Sequence, residues 1–465
     1  VSGDPGVLEL LDLAAPRRIH VVAVGGTGMG PIALVLAAMG HTVTGSDLHE
    51  PTNRAELETA GITVTVGHDA RNIGDAEVLA VSSAIGDDNA EVVAARERGL
   101  PVLRRTSVLG AIARLRRTIA VAGTHGKTTT SAFIATVLRD AGLDPSFVIG
   151  APVQNLGGAG HWGSGEWFVV EADESDGTFL ALAPEIAVVT NLEPDHVEFW
   201  GGIGPLVDAF RTFIADAPVA IVCDDDRGVA ELGRAGGATT YGMSRDSTWR
   251  LTDVATDRAA VSFRLANGGA DVGTVRVAAP GAHNARNAAA AIAAAVSAGV
   301  DAAAAVRGLS AFTGVSRRFE LRGEAGGVTF VDSYDHLPGE VAAVLETAAQ
   351  GGWRRVVCVF QPHRYSRIAA LGADFRDAFV AADKLAITDI YSAGEAPRPG
   401  VTGEVVLYAV LDAHPWADVA YLPHLDDVVS WLATVLRPGD LCLTLGAGDL
   451  TTIPDRVIAA LGGPA

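Results

Sequence analysis

The chain has 465 residues, a formal net charge of −20 and 49% hydrophobic residues. At about 100–200 residues per domain this length predicts two to four domains, each able to bury a core. The acidic balance argues against sequence-independent binding to nucleic acid or anionic lipid. The lack of any uncharged apolar run of about 18–20 residues argues against a membrane span.

The first residues lack the basic-then-apolar layout of a secretory signal. Cys223, Cys358 and Cys442 each lie in an apolar stretch. They predict buried free thiols and a reducing, cytoplasmic setting rather than a disulfide or zinc framework. Lys127 and Lys384 are the only lysines among 35 basic residues. A lysine inside a glycine loop, in a chain that otherwise uses arginine, therefore points to a compact phosphate contact.

In chain order, residues 17–24 read as a buried strand, followed by a glycine turn and a helix through 32–36. Strands at 41–45, 63–66, 78–81 and 101–103, with a helix at 89–98, complete a doubly wound pattern. A new strand at 118–122 enters the loop Gly123-Thr124-His125-Gly126-Lys127-Thr128 and a helix over 129–141. Further strands are expected at 167–171, 186–191 and 219–223. An irregular strand-like stretch follows over 238–278, then an alanine-rich helix at 283–298. The turn at 312–316 reads as a boundary. Strands at 328–331, 355–360, 384–388 and 441–444 then restart the alternation. The fold class is α/β with three domains: a Rossmann-like first domain (1–115), a central P-loop domain (116–316) and a Rossmann-like last domain (317–465).

The phosphate loop departs from the strict Gly-x4-Gly-Lys-Ser/Thr spacing, because Val121 stands where the first glycine belongs. Its strand–loop–helix setting still suits anion binding by backbone N–H groups at a helix start. Lys127 would reach the β- and γ-phosphates of ATP, and Thr128 would place a hydroxyl on Mg²⁺. Glu171, Asp173, Glu174 and Asp176 end one apolar strand, and Glu193, Asp195 and His196 follow the next. Carboxylates beside phosphates require a metal between them. The expected ligands are Thr128, one acid of the first cluster and His196.

The turn Gly25-Gly26-Thr27-Gly28-Met29-Gly30 resembles a dinucleotide fingerprint, but Pro31 replaces its last glycine. Asp47, about 20 residues on, is placed to meet a ribose hydroxyl. This turn alone fits NAD, as in a dehydrogenase, as well as another nucleotide diphosphate.

Together with Ser82-Ser83-Ala84-Ile85, Pro280 through Asn287, Gly314–Glu320, Gln361–Arg367 and Leu445–Asp449, these blocks resemble the Mur ligase family over nearly the whole chain. The resemblance implies that the first domain binds a UDP-linked substrate, the middle domain ATP and the last domain the amino acid. It is closest to the branch that joins L-alanine to UDP-N-acetylmuramate through an acyl phosphate, in peptidoglycan synthesis.

The resemblance makes Lys127, Glu171, His196 and His336 catalytic, with Thr128, Glu171 and His196 as metal ligands. It puts ATP on Gly123, Thr124, His125, Gly126, Lys127, Thr128, Thr129, Asn287, Arg318 and Asp332. The UDP moiety falls to Gly25, Gly26, Thr27, Gly28, Met29, Gly30, Asp47, Ser82 and Ser83. The amino acid falls to Tyr334, His336, Arg364 and Arg367. Two Mg²⁺ ions are implied, replaceable by Mn²⁺, in a monomer or weak homodimer with no nucleic-acid partner, no membrane insertion and domain closure on substrate. His196 and His336 are the candidates for the base that accepts the amine proton.

One block departs from the family's Asp-Asp-Tyr-x-His-His-Pro: here it reads Asp332-Ser333-Tyr334-Asp335-His336-Leu337-Pro338. Ser333 stands at the ribose contact and Leu337 at the second histidine. Three other readings stay open: a ligase attaching a preformed peptide, a non-catalytic UDP-sugar or ATP sensor, and a dehydrogenase.

Overall fold

The computed structural model describes residues 12–195 and 197–462, without the side chains of Val197 and Glu198. His196, expected as a metal ligand and a candidate base, lies outside the described residues.

Three sheets organise the chain. The first holds β1 (Arg18–Val22), β2 (Thr42–Asp47), β3 (Thr63–Val66), β4 (Val78–Val81) and β5 (Val102–Arg104) in the order β3-β2-β1-β4-β5. All its pairings are parallel. Val21, Val22, Leu79, Ala80 and Val81 are fully buried, because helices cover both faces of such a sheet. The order reverses beside β1, with β2 on one side and β4 on the other. The turn after β1, Asp47 at the end of β2 and Ser82 after β4 therefore share one edge, the crevice where open α/β sheets bind ligands.

The second sheet has ten strands. It contains β6 (Arg117–Ala122), β7 (Ser146–Val153), β8 (Gly158–His161), β9 (Trp167–Glu171), β10 (Ile186–Val189) and β11 (Val219–Cys223). It continues with β12 (Thr239–Gly242), β13 (Trp249–Thr256), β14 (Val261–Asn267) and β15 (Ala270–Val277). The order is β15-β14-β13-β12-β11-β10-β6-β9-β7-β8. β6 lies between β10 and β9, parallel to both. The irregular stretch expected at 238–278 resolves into β12–β15. In β14, Val261, Phe263 and Leu265 are buried while their neighbours are not, the period-2 pattern of a half-covered strand. The β7–β8 hairpin was not expected. Glycines break its apolar run, and the register shifts between Val148 and Val153.

The third sheet holds β16 (Glu320–Ala325), β17 (Val328–Ser333), β18 (Val356–Phe360), β19 (Lys384–Ile387), β20 (Val419–Tyr421) and β21 (Leu441–Leu445), in the order β16-β17-β21-β18-β19-β20. Only β16 is antiparallel, to β17. Helices bury both faces, one around Phe360, Phe375 and Leu443, the other around Phe330, Val359 and Val457. Cys223, Cys358 and Cys442 are free and buried, as expected. Burial pushes the thiols of Cys223, Cys358 and Cys442 up.

The chain divides into two compact units. One comprises residues up to 253 with 263–275 and 286–313; the other comprises 254–262, 276–285 and 314 onward. No helix among the described residues is long and apolar enough to cross a membrane.

Candidate active site

The glycine turn after β1 is built by its own backbone. Gly30 N donates to Gly26 O at 2.9 Å, and Gly25 N donates to Asp47 Oδ2 at 3.0 Å. Asp47, expected at a ribose, thus also braces the turn. Pro31 falls in the first turn of helix Gly30–Ala38, where its missing N–H costs nothing and its φ suits the helix. That explains why proline replaces the last glycine of the fingerprint. Ser82 and Ser83 lie at the end of β4 on the same edge, where Ser82 Oγ accepts from Ala84 N at 3.3 Å.

The phosphate loop joins β6 to helix Lys127–Asp140. Gly123 has φ +131°, and a Cβ there would lie 2.1 Å from Thr190 Oγ1. Gly126 has φ +80°, and its Cβ would lie 2.8 Å from Asn287 Oδ1. Only glycine meets both demands, of left-handed backbone and close approach. The segment after β10 clamps the loop from the side. Asn191 Oδ1 accepts from His125 N at 2.8 Å, Thr190 Oγ1 donates to His125 O at 2.6 Å, and Glu193 N donates to Thr124 Oγ1 at 2.9 Å. The loop therefore meets the residues after β10 on one sheet edge, with Asn287 of helix Ala282–Ser297 against it. Thr128 and Thr129 are buried in the first helical turn.

Lys127 turns its ammonium back into the loop. Nζ donates to Gly123 O at 2.6 Å, to Thr124 O at 3.2 Å and to Glu174 Oε2 and Oε1 at 2.9 and 3.1 Å. Burial works against this charge, but Glu174, Asp173 and Glu171 outweigh it and raise the lysine pKa. Burial, aided by Asp173, pushes the Glu174 carboxyl up to about 7 against the pull of Lys127. The role of Glu174 as lysine partner was not legible in the sequence, where it was one of four clustered acids.

Glu171 ends β9, and its Oε2 accepts from Gly150 N at 2.8 Å. A Cβ on Gly150 would lie 2.6 Å from that oxygen, so Gly150 keeps the carboxylate in place. A hydroxyl from Thr128 and a carboxylate from Glu171 are hard oxygen donors of the kind Mg²⁺ takes. Among the described residues, no three His, Cys, Asp or Glu side chains form a ready-made metal cluster. A cation here would draw its remaining ligands from phosphate and water, as Mg²⁺ commonly does.

In the second unit, the strand ends again gather the expected residues. Asp332 is buried and accepts from Thr444 Oγ1 at 2.6 Å, from Thr451 Oγ1 at 2.7 Å and from Arg317 Nε at 3.3 Å. Its carboxylate thus ties β17 to β21 and to the turn after it. Ser333 Oγ donates to Asp335 Oδ2 at 2.5 Å and accepts from Phe319 N at 3.0 Å. So a carboxylate stands beside Ser333, supplied from two positions on. Burial, with Glu340 adding, pushes Asp335 up to about 6, while Arg318 and Ser333 oppose the shift.

Arg317 and Arg318 both lie over the Tyr334 ring, at 5.0 and 5.2 Å, within cation–π range. His336 Nδ1 faces Tyr334 O at 3.0 Å. A carbonyl only accepts, so Nδ1 carries the proton and Nε2 is the open acceptor. Burial pushes the His336 imidazole down to about 4 and that of His363 to about 3. His363 stacks on Tyr391 and accepts at Nδ1 from Arg367 at 2.9 Å, which orients that guanidinium. Arg364 has φ +65° at the start of helix Tyr365–Leu371, an uncommon backbone for a non-glycine residue, and is exposed. Gln361 Nε2 donates to Asp449 Oδ1 at 2.8 Å, joining the turns after β18 and β21.

Three family models match successive parts of the chain: the Mur ligase family catalytic domain over residues 18–117, the Mur ligase middle domain over 121–295, and the Mur ligase glutamate ligase domain over 317–448. The UDP-N-acetylmuramate–L-alanine ligase of Nitratidesulfovibrio vulgaris is 44% identical over 449 residues, covering 95% of this chain and 98% of the relative. The ligase of the same name from Geobacter sp. strain M21 is 44% identical over 451 residues, covering 96% and 98%. Among solved structures, the UDP-N-acetylmuramate-alanine ligase of Thermotoga maritima superposes with a TM-score of 0.83 at 28% identity, covering 96% of this chain and 99% of that one. A murein peptide ligase from Psychrobacter arcticus gives 0.71 at 26% identity, covering 97% and 99%. The chain belongs to the Mur ligase family.

Proposed function

We propose that this chain is an ATP-dependent ligase that joins L-alanine to UDP-N-acetylmuramate in the synthesis of the peptidoglycan precursor. The carrying observation is end-to-end similarity at 44% identity to ligases of that name, joined to an intact lysine-bearing phosphate loop. The alternative, attachment of a preformed peptide, is less favoured. Its representative is the murein peptide ligase, whose fold lies further from this chain, at a TM-score of 0.71 against 0.83.

Residues 1–115 would bind the UDP moiety, 116–316 ATP and 317–465 the amino acid. The lactyl carboxylate oxygen attacks the γ-phosphorus, breaking the bond to the β-phosphate oxygen and releasing ADP. The alanine amine then attacks the acyl carbon and phosphate leaves, so one ATP is consumed per amide formed. Lys127 would leave Glu174 for the β- and γ-phosphates, supplying positive charge where two anions must meet. Thr128 and Glu171, with His196, would hold Mg²⁺, two ions in all and replaceable by Mn²⁺, which shields the phosphates when bound.

Asn287 would meet the adenine and Arg318 the phosphates. Arg364 and Arg367 would take the alanine carboxylate, a match of guanidinium fork to carboxylate. His336 offers a neutral Nε2 acceptor for the amine proton, though a weakly basic one. The UDP-linked substrate and ATP both fit a cytoplasmic enzyme, acting as a monomer or weak homodimer.

The test is phosphate release from protein, ATP, Mg²⁺ and UDP-N-acetylmuramate with single amino acids. Release with L-alanine is expected. Release with a tripeptide alone would move the assignment to peptide attachment, and no release with any acceptor would refute ligase activity.

A further inference from the structure

Arg105 lies between the glycine turn after β1 and the acidic loop after β9. It opens helix Arg105–Ala113, directly after β5. Its stem lies against the glycine turn: a Cβ on Gly28 would sit 3.2 Å from Arg105 Nε and 3.5 Å from its Cδ. Its far end faces the acidic loop after β9, with Nη1 3.5 Å from Asp176 Oδ2 and 3.7 Å from Asp173 Oδ2. The side chain is only 14% exposed. Nε itself is buried and has no hydrogen-bond partner. A buried guanidinium N–H left unpaired is costly, and it points to a group that arrives with a ligand.

The far side is held firmly. Asp176 Oδ1 accepts from Thr178 N at 3.1 Å and from Thr178 Oγ1 at 2.5 Å. Thr178 Oγ1 in turn lies 2.8 Å from Thr106 Oγ1, next to Arg105. The same loop carries Glu174, the partner of Lys127. One cation therefore stands between the turn expected to take a UDP diphosphate and the loop expected to yield its lysine to ATP.

We propose that Arg105 is a positioning residue that couples the two nucleotide sites, its charge screening the repulsion between the UDP diphosphate and the ATP phosphates. This rests on the function proposed above. Two polyanionic ligands bound in one unit oppose each other, and an intervening guanidinium lowers that opposition. Because binding linkage is reciprocal, the effect appears in either ligand's affinity.

The experiment is a binding cycle on the full chain by calorimetry, with Mg²⁺ and a non-hydrolysable ATP analogue, with and without UDP-N-acetylmuramate. The ratio of the analogue's Kd without the sugar nucleotide to its Kd with it is compared for wild type, Arg105→Met and Arg105→Lys. Arg105→Met is expected to lower this ratio about fivefold or more, the floor of ordinary coupling, and Arg105→Lys to restore much of it. An unchanged ratio in a folded Arg105→Met variant overturns the coupling role, even if each ligand alone binds more weakly. Should the methionine variant fail to fold, Arg105→Gln, which removes the charge but keeps a polar side chain, takes its place, and an unchanged ratio there overturns the coupling role. A wild type that binds no UDP-N-acetylmuramate removes the underlying function as well, an outcome distinct from binding without coupling.

Discussion

Lys127 Nζ and the Glu174 carboxylate make a two-pronged pair, at 2.9 and 3.1 Å, at the mouth of the phosphate loop. The ammonium is thus already engaged by an anion of the protein, and a nucleotide must displace that anion. Glu174→Gln removes the competing charge and is expected to lower the KM for ATP by about three- to tenfold, the range of one ordinary net hydrogen bond. Lys127→Ala is expected to lower kcat/KM about a hundredfold or more. Steady-state kinetics check both. A raised KM in Glu174→Gln would mean that the carboxylate orients the lysine for ATP rather than competing with it.

Glu91 is fully buried in the first domain, where it accepts from Ser46 Oγ and Asn72 Nδ2, each at 2.6 Å. Burial opposes its charge, but His20, Ser46 and Asn72 outweigh burial and hold its pKa at about 2. A carboxyl depressed in the folded state adds stability above its unfolded pKa, near 4.5, and loses it as pH falls toward 2. Urea denaturation should therefore show stability dropping by roughly 2–3 kcal/mol between pH 5 and pH 2 on account of this group alone. In Glu91→Gln this part of the pH dependence should vanish, leaving a protein less stable at pH 7.

The alanine side is tested through Arg364. Arg364→Ala is expected to raise the KM for L-alanine about tenfold or more while leaving the KM for ATP nearly unchanged. Arg364→Lys keeps the charge but not the fork and should recover only part of the loss. Equal increases in both constants would place Arg364 outside the alanine site.

Ser333 and Asp335 give a prediction in pH. Asp335 sits at about 6, and the Ser333 hydroxyl is one of the groups that hold it from rising further. If the ionised form serves catalysis, activity falls as pH drops through about 6. That limb should move to higher pH in Ser333→Ala and disappear in Asp335→Asn. A limb that stays put in both variants assigns it to another group.

Much of this arrangement was readable beforehand. Strands buried on both faces, such as β1, β6, β18 and β21, are nearly continuous apolar runs, and the loops that follow them carry the site. Gly123, Gly126 and Lys127 were legible because each has a local reason. What escaped depends on distant partners. Nothing near position 150 signals that Gly150 makes room for Glu171, and nothing near 105 signals that Arg105 lies against Gly28. The β7–β8 hairpin escaped because its glycines break the apolar run. Ser333 read as a lost carboxylate, although Asp335 returns one beside it from two residues on.

The scarcity of lysine has a practical consequence. The only side-chain amines are those of Lys127, nearly enclosed and clasped by Glu174, and Lys384, ion-paired to Asp418 at the start of its strand. Amine-reactive chemistry therefore has only these two side-chain targets on this chain, which peptide mapping separates. A nucleotide analogue bearing an electrophile on its terminal phosphate would be steered to the Lys127 amine, and the rate of modification would follow how often the clasp opens.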